Sequence, residues 1–159
     1  MTTTERDAKL LGYAGLIPFA FGAILAWVPG APISFVVGYL GWTLYYAAII
    51  LSFMGGARWG VAMMADGRRR GEPFSGFLAA VTPALVAWVA VVPQGLLPVA
   101  FPMSARIVLL MVAFAGLLAE DLRAARAGEG PGWYAGLRMR LTFWVLIALG
   151  FVVVRLLTG

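Results

Sequence analysis

No charged residue occurs from Leu10 through Ala57, a run too long for one membrane helix and long enough for two. Crossing the hydrocarbon core takes about 20 apolar residues in helical form. Val28-Pro29-Gly30-Ala31-Pro32 divides the run, because two prolines and a glycine do not continue a helix. A first span is therefore expected over 10–28 and a second over 34–60. A second uncharged run, Pro73 to Ala105, holds an apolar stretch, then Pro93-Gln94-Gly95, then Pro98 and Pro102. It predicts a third span over 76–92, an outer loop, and a fourth span over 103–119. The last apolar stretch predicts a fifth span over 141–157. The intervening polar segments, 61–75 and 120–140, are expected as loops on one side. A transmembrane barrel needs repeated alternating segments of roughly ten residues. Ala48-Ile49-Ile50-Leu51 and Val108-Leu109-Leu110-Met111-Val112 do not alternate. The expected fold class is an all-α integral membrane protein, one membrane domain built as a bundle of five transmembrane helices.

Composition agrees with this pattern. Of 159 residues, 62% are hydrophobic and 12% charged, against roughly 45–50% and about 25% in a soluble domain. Charge then sets the orientation. Arg6, Lys9, Arg68, Arg69, Arg70, Arg123, Arg126, Arg138 and Arg140 fall on one side, whereas Pro29–Pro32 and Pro93–Pro102 hold no basic residue. Short loops rich in Lys and Arg stay cytoplasmic, which predicts N-in, C-out and a bacterial inner-membrane location. The same charge suits anionic lipid headgroups on the cytoplasmic face rather than nucleic acid. The first apolar stretch exceeds the 7–15 residues of a signal peptide, so no cleaved leader is expected.

Chemistry is sparse. The chain has no histidine and no cysteine, which excludes disulfides, thiolate sites and His-ligated metals. Its seven acids, Glu5, Asp7, Asp66, Glu72, Glu120, Asp121 and Glu129, fall in the loops or at their edges, away from the mid-membrane positions where proton relays keep their carboxylates. No catalytic residue, cofactor or metal site is expected, and an enzyme is the weakest reading. Attention falls on Ser52-Phe53-Met54-Gly55-Gly56-Ala57-Arg58-Trp59-Gly60. Gly56 and Gly60 form a small-xxx-small pair that admits a second helix. Arg58 can pair with a lipid phosphate or with Glu120 or Asp121; the competing expectation is a snorkelling arginine beside Trp59 as interfacial anchor. Trp133-Tyr134, ahead of Arg138, reads as a second anchor.

Four ordered blocks carry a resemblance. Gly12-Tyr13-Ala14-Gly15-Leu16-Ile17-Pro18-Phe19 comes first, followed by Ile50–Gly56 with Trp59-Gly60. Thr82–Trp88 and Trp133-Tyr134…Leu137-Arg138…Leu141-Thr142 complete the set. Together they resemble the family called domain of unknown function 3429, which also holds the transmembrane protein 69 of animal mitochondria. The resemblance implies a small five-helix inner-membrane protein and carries no activity with it. The family pattern has His immediately before the Trp-Gly pair, where this chain has Arg58. Arginine does not titrate, so proton handling at that position is not expected here.

Two functional classes lead. One is a non-enzymatic accessory or assembly component that packs against membrane partners in a larger complex. The other is an oligomeric small-solute or ion transporter or channel. Orientation is testable directly: reporter fusions at Arg70 and Gly159 are expected to give inner-side and outer-side activity respectively. Matching inner-side signals from both would remove the five-span arrangement.

Overall fold

The computed structural model describes residues 2–29, 32–65, 73–93, 95–96, 101–128 and 130–158. Gly30, the Arg68–Arg70 run with Asp66 and Glu72, Gln94, Pro98, Glu129 and Gly159 lie outside the described residues. Those described form six helices and no strand: α1 Thr3–Ala14, α2 Ile17–Leu25, α3 Ile33–Ala65, α4 Pro73–Val91, α5 Met103–Arg126 and α6 Tyr134–Thr158. The protein is an all-α membrane protein. Four stretches are long and apolar enough to cross a membrane, namely Thr3–Leu25, Gly38–Met63, Met103–Arg126 and Tyr134–Thr158, and α4 supplies the shorter apolar helix Gly76–Val91.

Helix ends follow local chemistry more than hydropathy. Thr2 caps α1 by accepting from the Glu5 amide (3.3 Å), so the first helix starts before the apolar run. Pro18 then interrupts it. A proline ring clashes with the carbonyl four residues back, here that of Ala14, and α1 ends at that residue. The carbonyl of Gly15, inside the break, accepts from the Tyr46 hydroxyl (2.9 Å). Buried Phe19 packs edge-on against the Tyr46 ring. The expected second span, α3, runs past its expected boundary at residue 60 to Ala65, and α5 passes through Glu120-Asp121 to Arg126. Left-handed backbone at Gly128 (φ 77°) and Gly130 (φ 80°) ends α5, a conformation that glycine alone adopts freely. The last helix begins at Tyr134, two turns before Leu141; beyond Gly132 and before Thr158 no proline interrupts it.

Contacts fix an alternating up-and-down order. Along α3 and α4 the pairs run oppositely: Gly55 lies at Ala80 and Pro83, and Gly76 at Ala62, with Trp59 against Phe77. Between α5 and α6, Asp121 meets Arg138 and Met111 meets Gly150, again antiparallel. The broken first helix runs parallel to α6, with Gly12 at Leu141 and Trp27 donating to the Phe151 carbonyl (3.3 Å). The core is aliphatic and aromatic: Leu44, Leu51, Ile107, Leu110, Phe114, Leu149 and Val152 are fully or almost fully buried. Hydroxyls within it turn back on their own helices. Thr43 donates to the Tyr39 carbonyl (2.9 Å) and Ser52 to that of Ala48 (2.8 Å).

Small residues set the closest approaches, at positions other than the expected pair. A Cβ on Gly22 would lie 2.3 Å from the Thr43 hydroxyl oxygen, and one on Gly55 would lie 2.6 Å from the Ala80 carbonyl. Gly56 and Gly60 meet nothing within 4 Å. The expectation that they seat another helix is corrected within this chain. Gly55 lies on the core stripe Leu44-Ala48-Leu51-Gly55, whereas Gly56 is turned about 100° away. Gly55→Ala is therefore expected to lower thermal stability in detergent by about 1–3 kcal/mol, because backbone at the Pro83 bend must move. Gly56→Ala is expected to leave the melt unchanged or raise it slightly.

Candidate functional site

Three of the sequence-predicted residues, Arg58, Asp121 and Arg138, converge at one end of the bundle, where α3 and α5 finish and α6 begins. Asp121 is buried there, with a side chain 3% exposed. Its two oxygens are taken by arginines from two other helices. Arg58 of α3 donates from Nη1 to Oδ1 at 2.7 Å, and Arg138 of α6 donates from Nε to Oδ2 at 2.6 Å. Arg58 is 22% exposed and Arg138 6%. Each oxygen thus carries one charge-assisted bond, the stronger class of hydrogen bond. A direct α6–α3 contact adds to these, since Arg138 Nη1 lies 3.5 Å from the sulfur of Met54 on α3.

Burial has a clear origin in helical periodicity. On α5 the buried positions Ile107, Leu110, Phe114 and Leu117 continue after one more turn to Asp121. On α6 the buried stripe Val152, Leu149, Val145 and Thr142 continues after one more turn to Arg138. On α3 the core stripe through Leu51 and Gly55 reaches Arg58 after one further turn. Glu120 is offset from this stripe, partly exposed, and pairs with exposed Arg123 of its own helix instead. Sequence reasoning named Glu120 and Asp121 together; extending the apolar stripe separates them.

The cluster holds two cations and one anion. Nε of Arg58, Nη2 of Arg138 and the Thr142 hydroxyl are buried with no hydrogen-bond partner among the described residues. Tyr134 lies within electrostatic reach of Asp121, Arg138 and Arg58, and its ring stands edge-on to Trp133 at 6.3 Å. Trp59 packs on Phe77 at 4.7 Å, closing α3 onto α4 beside the cluster. Ser52 is bonded within its own helix, and Gly56 and Gly60 stand apart from the charged group. Among the described residues no three His, Cys, Asp or Glu side chains come together as metal ligands. The arrangement is suited to holding three helices in one register.

The opposite end has a matching device that sequence reasoning missed. Arg106, 5% exposed, donates to the carbonyls of Ala90 (3.1 Å) and Val92 (2.6 Å) at the end of α4, and to that of Phe101 (2.8 Å). Arg155 donates to the Ala26 carbonyl at the end of α2 (3.1 Å). The last carbonyls of a helix lack intrahelical donors and carry the negative end of its dipole, so each guanidinium satisfies both needs. An arginine one turn inside an apolar helix, facing a proline turn, was the available signal.

Double-mutant cycles separate the two carboxylates. Arg58→Ala with Asp121→Ala is expected to show coupling above about 1 kcal/mol, and Arg58→Ala with Glu120→Ala to be additive within about 0.5 kcal/mol. Asp121→Asn alone is expected to cost about 3–5 kcal/mol by leaving buried cations unpaired. The readout is thermal unfolding in detergent or nanodiscs.

Comparison with known proteins places this chain in a family. Over 147 residues the chain is 31% identical to Transmembrane protein 69 of Xenopus tropicalis, a match covering 91% of this chain and 52% of that protein. The chain thus spans about half the length of that relative. No solved structure matches it. The family model described as a protein of unknown function (DUF3429) matches residues 4–154. In agreement with the four ordered sequence blocks, the chain belongs to the DUF3429 family.

Proposed function

We propose that the protein is a non-enzymatic accessory or assembly component of the bacterial inner membrane, packing against a membrane partner in N-in, C-out orientation. One observation carries this reading: the buried and half-buried arginines at both ends of the bundle are engaged in tying its helices to one another. Arg58 and Arg138 hold Asp121, while Arg106 and Arg155 hold helix ends. The orientation rests on the asymmetry of basic residues.

The surface for a partner lies on α3. Ile49, Phe53, Gly56, Gly60 and Met63 follow one another at three- and four-residue spacing along a single face. Ile49 and Phe53 are 64% and 68% exposed, and both glycines are open. In lipid, helices associate through close van der Waals packing rather than hydrophobic transfer, and glycine is what permits it. A partner helix fits this stripe.

Purification of the tagged full chain in mild detergent, followed by mass spectrometry, is expected to recover a stoichiometric membrane partner. Gly56→Leu/Gly60→Leu is expected to lose it at an unchanged melting temperature, because both positions face outward. Recovery of the chain as a lone homo-oligomer would overturn the accessory reading and favour a transporter or channel. Partner capture unaffected by the double substitution would remove α3 as the docking face.

A further inference from the structure

A groove of about 510 Å³ runs between α2 and α6, on the face of α6 turned away from the Asp121 cluster. Its floor is small, with Ala20 and Ala23 on α2 and Ala148 on α6, and aromatic rings, Trp27, Trp144 and Phe151 among them, form its walls. From Tyr13 to Trp27 it extends about 21 Å along the helix axis. Its volume lies in the range of small-molecule sites, about 300–1,000 Å³. At roughly 30 Å³ per water-sized group, it accommodates a single acyl chain.

Charge specifies the other half of the ligand. One turn before Trp144 on the same face of α6 stands exposed Arg140. One turn before Tyr13, Lys9 sits beside Glu5 (2.6 Å), with Arg6 a further turn away on that face. The last turn of α1 abuts α6 two turns in, with Gly12 at Leu141, and the broken first helix runs parallel to α6, so the N-terminal ends of both face the same side. An apolar slot therefore opens, at one end, onto three basic side chains. We propose that the α2–α6 groove is a specific site for an anionic phospholipid, with one acyl chain in the slot and its phosphate at Arg140. The lipid is one that shares the leaflet bordering the basic loops. This site is separate from the α3 face proposed for a protein partner, and each is tested without the other.

The experiment uses delipidated full-length protein in detergent, titrated with dioleoyl phosphatidylglycerol or dioleoyl phosphatidylcholine and read by native mass spectrometry. One phosphatidylglycerol is expected to remain bound at activation energies that strip phosphatidylcholine. Arg140→Gln is expected to weaken retention of phosphatidylglycerol about fivefold, the contribution of one basic residue near an anionic surface. Ala20→Phe, at an exposed position on the groove floor, is expected to abolish retention of both lipids with an unchanged melting temperature. Equal retention of the two lipids by the wild-type chain would overturn the anionic preference. Undiminished phosphatidylglycerol binding in both variants would overturn the site, as would a dimer in place of a lipid adduct.

Discussion

A carboxylate withdrawn from water must find positive charge or hydrogen-bond donors, or else give up its own charge. Asp121 finds them on two other helices, and the lower end of the bundle is arranged around that requirement. Its oxygens point in different directions, one to Arg58 and one to Arg138, so neither arginine can replace the other. Moving α3, α5 or α6 by one turn would leave a buried charge unpaired. Apolar packing alone tolerates such slippage more easily, since in lipid the surrounding chains are as apolar as the core. The ion pairs therefore supply register, and the aliphatic core supplies contact area.

Most of the remaining polar groups obey the same constraint by shorter routes, the Thr142 hydroxyl excepted. Without water in the hydrocarbon region, backbone groups must be satisfied internally. The break made by Pro18 exposes carbonyls, and Tyr46 supplies a donor to one of them. Helix ends near the opposite surface receive Arg106 and Arg155. Thr43 and Ser52 bond to the preceding turn of α3. Hydroxyls treated in this way leave the helix surface apolar, which is why α3 can touch α2, α4 and α5 at once.

Much of this was legible in the residues. The uncharged runs and the proline–glycine turns located the helices, and charge at the ends of the runs brought Arg58, Asp121 and Arg138 into consideration. The choice between Asp121 and Glu120, or between Gly55 and Gly56, required helical phase. Adjacent residues differ by about 100° around a helix, and hydropathy of a fully apolar segment does not show which side is inward. α3 is apolar on nearly every face, so its buried stripe emerges only from contacts. The early start of α6 was hidden for a related reason. Arg138 and Arg140 resemble a loop by charge, yet one belongs to the core and the other to the surface.

The length of α3 has a consequence for the bilayer itself. Its apolar part, Gly38–Met63, comprises 26 residues, or about 39 Å at 1.5 Å per residue, against a hydrocarbon thickness of about 30 Å. A helix of that length leans, or the bilayer thickens around it. Because Arg58 and Met54 sit on this helix, one fastened to Asp121 of α5 and the other touched by Arg138 of α6, leaning α3 cannot occur without inclining its neighbours. Membrane thickness is thereby converted into the attitude of the whole bundle, and a thicker bilayer would hold it more upright.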